Sequence, residues 1–142
     1  MSLHHRTRIK ICGLTREQDV DAAVAAGVDA VGFVMYGKSP RYVTPRRAAE
    51  LARRLPPFVT PVMLFVNEEA SKIVAASDHL AMGMLQFHGD ESPDQCAAAA
   101  QACHRPWLRA ARIPLQEATG FDLVKFAADY SKAQAILLDA HV

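Results

Sequence analysis

The sequence carries almost no excess of charge of either sign: 16 Lys plus Arg stand against 15 Asp plus Glu. That balance removes the electrostatic case for binding nucleic acid or an anionic membrane surface. No uninterrupted apolar run approaches the roughly 20 residues that span a bilayer, and the opening stretch from Met1 to Thr7 lacks the apolar segment of a secretory signal. Cysteine is scarce, limited to Cys12, Cys96 and Cys103, an odd number with no CxxC pair. This speaks against a disulfide framework or a zinc site and for a reducing, cytoplasmic setting. The six histidines are scattered, so no metal site is expected. No GxGxxG or GxxxxGK fingerprint follows the first apolar run, which weakens a nucleotide-binding reading.

What the sequence does have is alternation. Its 51% apolar and 22% charged residues suit one soluble globular domain, expected over 8–142, with 1–7 an N-terminal extension or tag remnant. Arg8 to Cys12 reads as a short strand, with Thr15 as helix N-cap and Gly27 as helix stop. Ala30 to Met35 is apolar on both faces, as a buried parallel strand must be. Pro45 suits a first helical position, in a helix reaching Arg54. Pro61 to Val66, Met84 to Phe87, Trp107 to Ala110 and Ala135 to Asp139 read as four more strands. Helices are expected from Glu68 to Ser77, from the Ser92-Pro93 start, and from Phe121 to Tyr130.

Five βα units and a sixth strand specify an α/β fold with a parallel sheet. A closed (βα)₈ barrel needs at least ~200 residues, so length alone favours an open sheet. The polar residues point the other way, because they collect at strand C-termini, the pole where barrel active sites lie. Cys12 closes the first strand; Lys38, Ser39 and Arg41 follow the second, and Asn67 the third. Gln86 and His88 flank the end of the fourth, Arg109 lies in the fifth, and Asp139 ends the sixth.

The segments carrying these residues resemble one family. Lys10-Ile-Cys-Gly-Leu-Thr15, Gly32 to Val43, Phe65-Val-Asn67, Gln86-Phe-His-Gly-Asp-Glu91 and Leu137-Leu-Asp-Ala140 are similar, in order and spacing, to the phosphoribosylanthranilate isomerases of tryptophan biosynthesis. Phe87 stands where that family usually has Leu, and Gly37 where Pro is common. The resemblance implies a TIM (βα)₈-barrel fold, here expected as an incomplete barrel. The family continues beyond a sixth strand into a Gly-rich loop and two further βα units that bind the substrate phosphate.

The resemblance also implies a reaction: N-(5′-phosphoribosyl)anthranilate rearranges to an open-chain 1-deoxyribulose phosphate, with no cofactor. Asp139 is then the general acid and Cys12 the general base, with Arg41 on the anthranilate carboxylate and Gln86 and His88 lining the pocket. Free Asp titrates near ~3.9 and free Cys near ~8.5, so both roles call for a tuned setting. Partial burial is expected at Asp139, and thiolate support at Cys12 from Lys10, which shares its strand face, or from the following helix N-terminus. The partner implied is a phosphosugar–anthranilate small molecule, and a homodimer is among the assemblies allowed. Two rivals stand beside this reading. One is a non-catalytic (βα) fragment that associates through open sheet edges. The other is a different phosphate-sugar barrel enzyme related to indoleglycerol-phosphate synthase, against which the Cys12 segment speaks. For the 142-residue piece alone, little activity is expected without a phosphate anchor.

Overall fold

The computed structural model describes residues 5–116 and 120–141. Along it alternate β1 (Lys10–Cys12), α1 (Glu17–Ala25), β2 (Ala30–Val34), α2 (Pro45–Ala52), β3 (Thr60–Phe65), α3 (Ala70–Ser77), β4 (Met84–Phe87), α4 (Pro93–Cys103), β5 (Trp107–Pro114), α5 (Leu123–Asp129) and β6 (Ala135–His141). Every neighbouring strand pair is parallel and the sheet order follows the chain, β1 to β6. A helical crossover between successive parallel strands produces this order, since parallel neighbours cannot be joined by a tight turn. Residues 1–4 of the expected N-terminal extension, and Val142, lie outside the described residues. Arg6, within that extension, bonds Asp29 through both guanidinium nitrogens and so ties the segment to the sheet. Among the described residues, no helix is long and apolar enough to cross a membrane.

The pleat divides each strand between two environments. Val31, Phe33, Met63, Phe65, Leu85, Phe87 and Trp107 point to the helix side, where they pack with Val20, Leu51, Ile73 and Cys96. Each such side chain contributes about 1.5–3 kcal/mol on burial, so this layer is the main source of stability. Burial pushes the Cys96 thiol up to about 12, which makes it packing material and not a nucleophile. The intervening strand residues face a cavity lined by both Cys12 on β1 and Asp139 on β6. A flat sheet would hold its outer strands far apart, so the six strands curve into a half-barrel. Ile11 on β1 and Leu138 on β6 are exposed on these outer strands.

Helix starts follow local chemistry, with one correction. Thr44 accepts from the Arg47 amide at 3.1 Å ahead of Pro45, and Ser92 forms a capping box with Gln95 at 3.1 and 2.9 Å. Thr15 does not cap α1; the N-cap is Arg16, which makes no side-chain cap bond. Arg47 on α2 instead pins this entry turn, donating to the Thr15 carbonyl at 3.2 Å and gripping Glu17 at 2.6 and 2.9 Å. That grip holds the Glu17 carboxyl at about 2, well below its ordinary range. Gly27 ends α1 as expected, at φ +87°. The fifth strand extends past the expected Ala110 to Pro114, because β6 pairs with it from Leu108 through Pro114. Arg109 and Arg112 break its apolar pattern and disguise its length.

Candidate active site

Cys12 is the last residue of β1, and its register partner across the β1–β2 ladder is Gly32. A Cβ at Gly32 would stand 2.8 Å from both the Cys12 sulfur and the Lys10 Cε. The thiol and the lysine therefore share the inward face, as their two-residue spacing requires, and occupy space that only glycine leaves open. Gly32→Ala is expected to displace the Cys12 side chain and, with the thiol in the role the resemblance implies, to lower kcat roughly tenfold. Steady-state kinetics check this, and parental turnover would show that the packing at Gly32 is immaterial.

Arg41 reaches the same place from the β2–α2 loop. Its Nη1 donates to the Cys12 carbonyl at 3.1 Å, and its own amide donates to Ser39 Oγ at 3.1 Å. Gly13, at φ +82°, lies beneath the guanidinium; a Cβ there would stand 2.6 Å from the Arg41 Cζ. Two requirements, backbone conformation and clearance, thus converge on glycine. The rest of the guanidinium is left to bond a carboxylate in its plane.

Across the cavity, His88 Nε2 lies 3.4 Å from Asp139 Oδ2, and His88 Nδ1 lies 3.3 Å from Gln86 Nε2. Burial lowers the His88 pKa against the raising influence of Asp139, and Arg112, Lys10 and Arg109 add to the lowering. Burial thus favours the neutral imidazole. In the tautomer whose Nδ1 accepts from Gln86, the Nε2–H points at the Asp139 carboxyl. Gln86 is 1% exposed, and its Oε1 is buried without a hydrogen-bond partner. Asp139 departs from the expected partial burial: its side chain is 47% exposed, because β6 is an outer strand with β5 as its one neighbour among the described residues.

A single cavity of about 1110 Å³ is lined by Cys12, Arg41, Gln86, His88 and Asp139, the five residues singled out from sequence. Arg112 lines it too, from the part of β5 that the sequence pattern obscured. Arg109 does not: it turns to the helix side, where it pairs with Glu91 at 3.1 Å. Asn67 likewise sits apart, its side chain accepting from the Asp90 amide at 2.8 Å. Strand parity was the signal that separates these arginines, since residues 110 and 112 fall inward and 109 falls outward. Among the described residues, no group of three or more His, Cys, Asp or Glu side chains is arranged to hold a metal ion.

The chain is a parallel (βα) half-barrel with polar side chains gathered where its strands end, the pole at which (βα)-barrel enzymes carry their chemistry. The family model described as N-(5′-phosphoribosyl)anthranilate (PRA) isomerase matches residues 9–142. A curated N-(5′-phosphoribosyl)anthranilate isomerase of Methylibium petroleiphilum is 64% identical over 137 residues, 96% of this chain and 61% of that protein. Its counterpart in Leptothrix cholodnii is 59% identical, over 96% of this chain and 59% of that protein. The phosphoribosyl anthranilate isomerase structure from Thermotoga maritima superposes with a TM-score of 0.80 at 35% identity, covering 96% of this chain and 63% of that one. Another isomerase structure, in complex with reduced 1-(o-carboxyphenylamino)-1-deoxyribulose 5-phosphate, gives 0.79 at 35%, covering 96% of this chain and 66% of that one. The chain belongs to the N-(5′-phosphoribosyl)anthranilate isomerase family, and it spans about three-fifths of the length of the curated relatives it matches.

Proposed function

We propose that the protein carrying this chain isomerises N-(5′-phosphoribosyl)anthranilate to 1-(2-carboxyphenylamino)-1-deoxyribulose 5-phosphate, a step of tryptophan biosynthesis in the cytoplasm. The observation that carries the proposal is the shared cavity: Cys12 and Asp139, 127 positions apart in the numbering, line one mouth together with Arg41, Gln86 and His88.

In this reading Asp139 is protonated on the oxygen that does not face His88; it gives that proton to the ribose ring oxygen as the C1–O bond breaks, and the anilino nitrogen's lone pair forms the C1=N bond. Cys12, as thiolate, removes the C2 proton, and those electrons neutralise the iminium to an enolamine. Tautomerisation to the C2 ketone returns a proton to C1, so substrate and product have the same composition. Arg41 holds the anthranilate carboxylate beside Cys12, to whose carbonyl it is already bonded. His88 orients the Asp139 carboxyl, and Gln86 fixes the imidazole by its bond to Nδ1. We further propose that 8–142 is one domain of a (βα)₈ barrel, closed in the whole protein by two more βα units that bind the substrate phosphate.

The test is direct. Purified full-length protein mixed with N-(5′-phosphoribosyl)anthranilate is expected to consume the fluorescent substrate, with a product of identical mass. Absence of turnover at micromolar enzyme would remove the proposal.

A further inference from the structure

The most heavily bonded charged pair in the described chain lies outside the cavity. Arg109 and Glu91 have side chains 4% and 8% exposed, buried on the helix side of β5. Arg109 Nη1 donates to the Phe87 carbonyl at 2.8 Å and to Glu91 Oε1 at 3.1 Å, and its Nη2 donates to the Gly89 carbonyl at 2.7 Å. Glu91 accepts from the Gly89 amide at 2.8 Å and, through its other oxygen, from the Asn67 amide at 2.8 Å. The guanidinium lies 4.8 Å from the Tyr130 ring centre, and the Tyr130 hydroxyl donates to the Glu91 carbonyl at 2.7 Å.

These bonds bracket one residue. The carbonyls before and after His88 are held by a single guanidinium, while the His88 amide donates to the Phe65 carbonyl at 3.0 Å. A buried ion pair is a poor source of stability, because desolvating two charges offsets most of their attraction. Well-packed apolar residues would serve a merely structural need as well. Here the pair sets the path of the strand-to-loop junction from which the imidazole projects.

We propose that Arg109 and Glu91 are positioning residues that clamp the 87–89 backbone and thereby aim His88 at Asp139. The catalytic consequence rests on the isomerase reading; the clamp itself does not. His88 faces Asp139 from β6, Arg112 from β5, Lys10 from β1 and Gln86 from its own strand, with Arg109 behind it. Loosening the junction exposes the ring to water and lengthens its contact with Asp139.

The test combines Arg109→Met with Glu91→Gln, which removes both charges at similar volume and leaves an acceptor for one of the two loop amides. Nitrogen-15 NMR of the full protein follows the His88 titration and tautomer. In the double variant the midpoint is expected to rise toward the ordinary imidazole range by more than loss of the Arg109 charge alone brings, a direct effect that the charge-keeping Arg109→Lys leaves out, and the Nε2–H preference to weaken. kcat is expected to fall roughly ten- to a hundredfold, the scale of a misplaced reacting group, with KM little changed. Arg109→Lys leaves Glu91 with a charged partner but lacks the fork that spans both carbonyls, so it shifts His88 the same way by less and carries the test if the double variant does not fold. A folded variant with the parental His88 titration overturns the proposal, whatever its activity. A shifted titration in a protein that never turned over the substrate sinks the isomerase reading and leaves the clamp standing.

Discussion

Alanine at Cys12 is expected to lower kcat by about 10²–10⁴, the contribution of one positioned base, while KM stays near the parental value. The split follows from how Arg41 is anchored. Its guanidinium bonds the backbone carbonyl of Cys12 and lies against Gly13, so truncating the thiol leaves the arginine proposed to hold the carboxylate where it was. Cys96 offers no substitute, being fully buried on the helix side with its thiol pushed up to about 12. Cys12→Ser separates size from chemistry: a hydroxyl fills the space beside Gly32 but is a far weaker proton acceptor at neutral pH, so it should be as impaired as alanine. Steady-state kinetics on both variants decide the matter. A near-parental kcat in Cys12→Ala assigns the proton abstraction elsewhere.

Asparagine at Asp139 is expected to produce a loss of the same order, about 10²–10⁴ in kcat, by a different route. The amide keeps the shape of the carboxyl, and its oxygen still accepts from the His88 Nε2–H 3.4 Å away. The geometry survives and the transferable proton does not. Binding of reduced 1-(o-carboxyphenylamino)-1-deoxyribulose 5-phosphate, the compound held in a related isomerase, should be retained within a few-fold. Calorimetric affinity and kcat measured side by side therefore report on different things. Lost affinity with unchanged turnover per bound substrate would make Asp139 a binding residue only.

Much of this site was legible because its residues sit at strand ends, where a polar side chain interrupts an apolar run and is conspicuous. Cys12 and Gln86 stand out in that way, as does Asp139, although β6 runs two residues past the expected end at Asp139, to His141. Arg112 did not, because β5 carries two arginines that mask its continuation, and only pairing with β6 reveals that the strand runs on to Pro114. Glu91 closes the Gln86–Glu91 segment with no local sign of a role, since its partner Arg109 reaches over from the next strand. Thr15 misled for a similar reason. A threonine ahead of acidic residues is a good local cap signal, yet the helix starts after Arg16, and the Thr15 carbonyl is bonded by Arg47, 32 positions later in the numbering. Local pattern locates elements well; it cannot anticipate which distant side chain will meet a given backbone group.

The alternation along β4 has a consequence for how this gene can change. Leu85 and Phe87 belong to the buried layer under the helices, while Gln86 and His88 belong to the cavity. Adding or deleting one codon in this stretch would exchange the two allegiances at a stroke, putting phenylalanine into the reaction chamber and glutamine into oil. A change of length is tolerated only outside the strand, in the loops that join it to its flanking helices, where no alternation of faces is at stake.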